Sequence, residues 1–459
     1  MMYSLQIALL TPFVFVLLYI FMNYMVKGEK SVCIVVLGDI GRSPRMQYHA
    51  VSLAKSGFYV NIVGYGGSIP HKQVRDNDNI ELNTISEAPG FLKYLPGPLS
   101  YIFRALWLFL SLIVTLLLLP KSRFYFVQNP PTIPTFPVVW LVCLFRNSRM
   151  VIDWHNYGYT ILSLKLGSDN LLVSLSQRLE RVFGRRAVAN ICVTSAMKED
   201  LCHYWDIRAS TVYDRPPDIF KTTTLSEQHE LFTRLAEQYP AFKASSATEG
   251  STAFTQCDGK GVISRVKNRP VLLVSSTSWT EDEDFGLLLD ALERYDNDAA
   301  DSAPRILCVI TGKGPQKEMY QKKIENLQWK KIQFCLPWLT AEDYPLLLGS
   351  SDIGVCLHKS SSGLDLPMKV VDMFGCGLPV CAVRYDCIEE LVKPGTTGLL
   401  FDDSQQLAQQ LQELLEEFPD KCTKLKAFRD NLKEFQASRW HDQWTAKVLP
   451  IFSGKDKPQ

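Results

Sequence analysis

The residues able to do chemistry in this chain fall in a few short strings. Asp153 and His155 close an apolar run at 149–153, and either the carboxylate or the imidazole could accept a proton from a hydroxyl. The competing reading is a hydrogen-bonded structural pair. A second group, Glu281-Asp282-Glu283-Asp284, stands before a helical pattern that starts at Phe285, and Glu281 is the rival proton acceptor. Acids before a helix are also favoured by capping and by the helix dipole, which gives this run a structural explanation as well.

Two other strings suit an anion. Gly312-Lys313-Gly314 lies between an apolar run and a helix, where glycines let backbone amides approach a phosphate and Lys313 adds a positive charge. The alternative is an ordinary strand-to-helix turn. Lys369 and Asp372 are three residues apart on a predicted helix, hence on one face, as a cation for a diphosphate and a carboxylate for ribose hydroxyls. Near the beginning, Gly38-Asp39-Ile40-Gly41 is a tight turn that delivers Arg42 and Arg45 onto the next helix.

These strings need strands and helices to hold them. Apolar runs at 32–37, 58–63, 124–127, 149–153 and 191–194 read as buried strands, with helices at 46–56 and 171–183. The pattern restarts at 271–275 and continues with strands at 306–311, near 332 and at 353–357, separated by helices at 285–294 and about 317–327. Strands alternating with helices imply parallel sheets covered on both faces. The expected fold class is α/β, with two Rossmann-like doubly wound domains at 31–219 and 270–418 around one cleft. Between them 221–268, rich in Ser, Thr and Gly, is expected to be a mobile insertion or linker. Residues 419–459 hold apolar positions suited to helices that pack back on the body.

Length and composition narrow the function. The chain has 459 residues, enough for two or three domains, and 49 basic against 48 acidic side chains leave no field for gripping nucleic acid. Its 12 cysteines form no Cys-x-x-Cys pair, which disfavours a disulfide framework or a zinc site. No Gly-x-Gly-x-x-Gly follows the first strand, disfavouring a dinucleotide enzyme, and no Gly-x-x-x-x-Gly-Lys-Ser/Thr is present for phosphoryl transfer. Asp282-Glu283-Asp284 has the form D-x-D, but so do Asp76-Asn77-Asp78 and Asp296-Asn297-Asp298, so no metal site is expected. Residues 1–26 carry no charge and could form a transmembrane helix; Lys27 and Lys30 follow, placing the rest of the chain on the cytosolic side as a signal-anchor would. A shorter apolar stretch, 105–119, is expected to rest in one leaflet rather than to span.

The helix Pro367-x-Lys369-x-x-Asp372, followed by Cys376-Gly377-Leu378-Pro379-Val380, resembles the nucleotide-sugar helix of GT-B glycosyltransferases, where the acid is usually Glu. Longer strings at 38–49, 153–159 and 275–285 resemble, nearly end to end, the β-mannosyltransferase family of the dolichol-linked oligosaccharide pathway. That resemblance implies GDP-mannose as donor, GlcNAc2-diphosphodolichol as acceptor, and the cytosolic face of the endoplasmic reticulum membrane. It implies an inverting transfer with no tightly bound cofactor and no required divalent cation. Other early dolichol-pathway mannosyltransferases would be its partners. Read from the residues themselves, Arg42 and Arg45 beside Gly41 could face the acceptor diphosphate or simply form a solvated helix start; Gly312, Lys313, Gly314, Lys369 and Asp372 are expected to hold the donor, and Asp153, His155 or Glu281 to act in catalysis. A non-catalytic GT-B scaffold organising other glycosyltransferases is the alternative. One departure stands out: related retaining enzymes carry Arg and Lys in the loop after the first strand of the second domain, and here residues 276–281 contain no cation.

Overall fold

In a computed structural model, residues 30–454 are described except 95, 245–249, 281–282 and 420. The apolar segment 1–26 lies outside the described residues. The chain divides into two units, one running to Tyr213 and resuming at His441, the other Asp214–Trp440.

The first unit is built on seven parallel strands: β1 (Ser31–Asp39), β2 (Tyr59–Tyr65), β3 (Ile80–Thr84), β4 (Phe124–Asn129), β5 (Arg149–Trp154), β6 (Ala189–Cys192) and β7 (Ser210–Thr211). Their order is β3-β2-β1-β4-β5-β6-β7. Val32 to Val36 of β1 are buried on both faces, as a central parallel strand requires, which is why this strand reads as a continuous apolar run. The edge strand β3 has exposed Glu81 and no such run, and the sequence pattern passed over it. The order reverses between β1 and β4, and at such a switch point the carboxyl ends of the strands leave a crevice.

Helices α1 (Pro44–Lys55), α2 (Gly97–Leu118), α3 (Thr135–Arg146), α4 (Gly158–Leu166) and α5 (Leu171–Arg186) complete the described layers that concern the site. The 105–119 stretch is thus the C-terminal part of a 22-residue helix that starts at Gly97. Leu112 and Leu116 are fully buried, while Leu106, Leu110, Val114 and Leu118, each four residues apart, form an exposed stripe. The Arg146 guanidinium, buried in the body, donates to the Leu117 and Leu119 carbonyls and so satisfies the helix C-terminus. Among the described residues no helix is long and apolar enough to cross a membrane.

The second unit opens with α6 (Leu225–Gln238), whose Thr224–Glu227 capping box fixes its start. Phe232, Phe242 and Phe254 stack together under it, and β8 (Thr255–Cys257) pairs with β9 (Ile263–Arg265). The described part of 221–268 is therefore a folded lobe, not the expected mobile linker. A short helix and a few aromatics make a core that composition averages hide. Six parallel strands follow: β10 (Val271–Ser276), β11 (Ile306–Thr311), β12 (Ile332–Cys335), β13 (Ile353–Cys356), β14 (Val380–Val383) and β15 (Gly398–Phe401), in the order β12-β11-β10-β13-β14-β15. This repeats the switch-point topology, here between β10 and β13. Buried Arg269 grips Asp352 through two bonds of 2.6 and 2.8 Å, tying the chain before β10 to the start of β13. Helices α7 (Phe285–Asp298) and α8 (Met368–Gly375) carry site residues.

Residues 419–459 do not act as one block. Helix α9 (Thr423–Ala437) stays with the second unit, where Gln436 donates to the Gly375 carbonyl at 2.9 Å. The described residues from His441, in α10 (Trp440–Lys447) and α11 (Leu449–Ser453), belong to the first unit. Phe452 packs against Phe58, Phe124 and Phe126 there, and Trp444 is fully buried. The first unit also ends earlier than expected, at Tyr213 rather than near 219.

Candidate active site

In the first unit the site forms where β5 ends beside α1. A strand repeats every two residues, so Asp153 and His155 point to the same side; a helix brings Arg45 and His49, four apart, onto one stripe. The four side chains meet at the Asp153 carboxylate, which is fully buried. Its Oδ2 accepts from Arg45 Nε at 2.8 Å, His49 Nε2 at 3.0 Å and His155 Nε2 at 2.8 Å, and Oδ1 accepts from Arg45 Nη2 at 3.0 Å. Because a carboxylate only accepts, the two ring nitrogens that face it carry the protons. Burial alone would raise the Asp153 carboxyl. The Arg45 charge and the histidine hydrogen bonds outweigh that and hold it well below the usual carboxylate range.

These contacts separate the two expected roles. Asp153 is out of reach of solvent and accepts from Arg45, His49 and His155. His155 is partly exposed, at 22% of its side chain, and with Nε2 committed to Asp153 its Nδ1 is the nitrogen that can accept. Arg45, expected to face an acceptor diphosphate, is buried and bonds Asp153 and the Val212 carbonyl. A cation this deep neutralises a buried carboxylate, and the helical register of α1 points it there. Arg42 remains at the surface, its side chain 80% exposed and its Nε donating to Ser68 Oγ at 3.1 Å. Gly41 is required by packing: a Cβ there would lie 2.4 Å from the Ser68 carbonyl oxygen.

In the second unit the cation-free loop after β10 folds onto Glu283. This nearly buried carboxylate accepts from Thr277 Oγ1 at 2.6 Å and from the Ser278 amide at 2.7 Å, and it pairs with Lys369 of α8, 86 residues away. Desolvation would raise the Glu283 carboxyl, but the Lys369 charge and these bonds lower it. Asp284 caps α7 by accepting from the Gly286 amide at 2.9 Å, whereas Glu281 and Asp282 lie outside the described residues. The described half of the acidic run therefore splits, Asp284 serving as a cap and Glu283 as an ion-pair partner.

Gly312 and Gly314 abut the same loop. A Cβ at either would fall 1.8 Å from the Thr277 oxygen or 1.7 Å from the Ser278 oxygen, so the glycines allow two backbones to meet closely. That contact leaves Lys313 exposed, its ammonium 3.6 Å from the Trp338 ring centroid, a cation–π placement. Asp372 is half-buried and faces Asp214; desolvation and that second carboxylate push it well above the usual range, favouring its protonated form. Lys369 and Asp372 share α8, but their immediate partners differ. Among the described residues no group of three or more His, Cys, Asp and Glu is arranged to hold a metal ion.

The glycosyl transferases group 1 family matches residues 262–433, within which Glu283, Lys313, Lys369 and Asp372 lie. Chitobiosyldiphosphodolichol beta-mannosyltransferase of Pongo abelii is 51% identical over 433 residues, covering 93% of each chain, and its Homo sapiens counterpart is 49% identical over 432 residues with the same coverage. The chain belongs to the chitobiosyldiphosphodolichol beta-mannosyltransferase family. Anabaena HepE, crystallised in complex with UDP-glucose, superposes with a TM-score of 0.61 at 15% identity, over 92% of this chain and 97% of that one. Its likeness extends across both units and bears on the fold alone, the GT-B architecture of two Rossmann-like domains. For a mannosyltransferase of this family, sequence reasoning missed His49, Trp444 and Thr277 as site residues, and it named Glu283 only within the acidic run, not as the partner of Lys369. His49 was legible as the i+4 neighbour of Arg45 after a glycine turn; Trp444 had no local signal.

Proposed function

We propose that this chain transfers mannose from GDP-mannose to the chitobiosyl group of a diphosphodolichol acceptor, with inversion at the sugar carbon. A donor linked α and a product linked β require one in-line displacement. The acceptor 4-hydroxyl oxygen bonds to C1, the C1–O bond to the diphosphate breaks, and GDP departs with the electron pair. His155 Nδ1 takes the hydroxyl proton, with Asp153 stabilising the imidazolium that results. The partly exposed His155, anchored to a buried carboxylate through its other nitrogen, is the observation that carries this reading.

Lys369, Lys313 and the amide end of α8, where Pro367 provides no side-chain cap, supply positive character for the departing diphosphate, and Asp372 of the same helix is in this reading the partner of the ribose hydroxyls. No divalent cation takes part. In this reading residues 1–26 anchor the chain in the endoplasmic reticulum membrane and its body lies on the cytosolic face. The exposed stripe of α2 and, separately, exposed Leu164, Leu166, Leu171 and Leu172 of α4 and α5 are the apolar surfaces that in this reading meet the lipid acceptor at the bilayer surface.

Purified full-length protein supplied with GDP-mannose and chitobiosyl diphosphodolichol tests this. Mannosylated lipid is expected in the presence of EDTA, and His155→Ala is expected to lower kcat by about 10²–10⁴-fold. Donor binding without transfer would instead indicate a scaffold, and an unchanged rate in His155→Ala would remove the assigned base.

A further inference from the structure

The C-terminal segment supplies a residue to the first-unit site that the transfer reaction, as described, does not use. Trp444 is fully buried, and its indole Nε1–H donates to His49 Nδ1 at 2.8 Å. Indole nitrogen can only donate, so the proton of His49 must reside on Nε2, which faces Asp153 Oδ2 at 3.0 Å. Trp444 thus fixes the His49 proton on Nε2, and the ionised Asp153 by itself fixes the direction of both histidine bonds that reach it, the second from the partly exposed His155 ring. We infer that Trp444 and His49 are positioning residues: the Trp444 bond locks the His49 proton toward Asp153, and that buried donor holds the Asp153 carboxylate, which in turn keeps His155 with Nε2 protonated and Nδ1 open to the acceptor hydroxyl.

The surroundings agree. His49 is fully buried, and burial first of all, with Arg45 and His155 adding to it, pulls its pKa down to about 4 despite Asp153, so the ring stays neutral as the chain of bonds demands. The charged and titratable groups that face this cluster include Arg45 and His49 from α1, Asp153 and His155 from the end of β5, and Cys192 from β6, a thiol that burial pushes up to about 12. Behind Trp444, His441 stacks on the indole and pairs through Nδ1 with Ser52 Oγ at 3.2 Å; desolvation lowers its pKa. Lys447 of the same helix is directed to the Thr211 carbonyl. No other cation competes with Arg45 for Asp153 among the described contacts.

This inference rests on His155 being the base of the mannosyl transfer, and the experiment separates the two. Steady-state kinetics of the full-length enzyme with GDP-mannose and chitobiosyl diphosphodolichol are measured across pH for His49→Leu, His49→Gln, Trp444→Phe and the Trp444→Phe/His49→Leu double variant. His49→Leu removes one donor from Asp153. It is expected to lower kcat about tenfold, leave KM for GDP-mannose within twofold, and move the acid limb of the kcat profile upward by about half a unit or more. Gln reproduces both hydrogen bonds and should restore rate and profile. Trp444→Phe should cost about as much as His49→Leu, and nothing further once Leu is at position 49. A Gln variant as impaired as Leu, or additive losses in the double variant, would overturn the proposal, since packing alone would produce either. If the buried variants do not fold, nitrogen NMR of histidine-labelled wild-type enzyme decides: protonated Nε2 on both His49 and His155 is expected, and an Nδ1 proton on either overturns it. A wild type without transferase activity would refute the proposed function instead.

Discussion

Burying a neutral histidine makes a measurable demand on stability. The folded pKa of His49, about 4, lies below its ordinary 6.5. Below pH 6.5 the unfolded chain binds a proton at His49 that the folded chain refuses, so this site makes stability fall as pH drops, and the fall ends near pH 4, where the folded ring also protonates. The whole interval is worth about 3 kcal/mol, and about 2 kcal/mol of it is lost between pH 7 and pH 5. Asp153 does not offset this. Its folded pKa is lowered, so its contribution is present above the ordinary carboxylate value near 4 and lost only below it. His49→Gln removes the titration while keeping the hydrogen-bonding pattern. Two units need not unfold together, so the readout should be local: hydrogen exchange of β1 and β5 amides by mass spectrometry, corrected for intrinsic rates, at pH 5 and pH 7. The wild type should lose about 2 kcal/mol more than His49→Gln between those values. Equal losses in the two proteins would refute the claim that His49 is buried and neutral.

Other perturbations reach separate parts of the molecule. Lys369→Ala should weaken GDP-mannose binding about tenfold by calorimetry, by removing a charged partner of the diphosphate; unchanged affinity would assign Lys369 only to its ion pair with Glu283. Asp352→Ala leaves Arg269 buried without its counterion and should destabilise the second unit by about 3–5 kcal/mol, read as a lower denaturant midpoint with first-unit exchange unaffected. Gly314→Ala drives a Cβ into the Ser278 carbonyl and should lower both melting temperature and transfer rate, whereas Gly395→Ala, at a surface turn with open space but a positive φ, should cost only stability. Leu110→Glu, on the exposed stripe of α2, should reduce cosedimentation of the folded protein with anionic lipid vesicles several-fold without changing its melting temperature.

Much of the scaffold was legible in the sequence because buried parallel strands are apolar on both faces. The runs at 32–37, 124–127, 271–275 and 306–311 each announce a strand without reference to the rest of the chain. Glycine turns, the Asp153–His155 spacing and the Lys369–Asp372 spacing are likewise local, set by backbone sterics and by the repeats of two and 3.6 residues. Edge strand β3 and the lobe within 221–268 were hidden, since a half-exposed strand and a small aromatic core leave only weak periodic signals.

Partnership was another matter. Spacing named Arg45 and Asp153, but only the fold could show that they neutralise one another 108 residues apart, in the interior of the first unit. The same holds for Glu283 with Lys369, and for an indole near the C-terminus that sets a proton on α1. A residue's type states which bonds it can make, and local spacing states which way it points. Which opposite charge or donor stands there depends on long-range burial, where an unpaired polar group costs so much that the tertiary structure, not the neighbouring sequence, selects its partner.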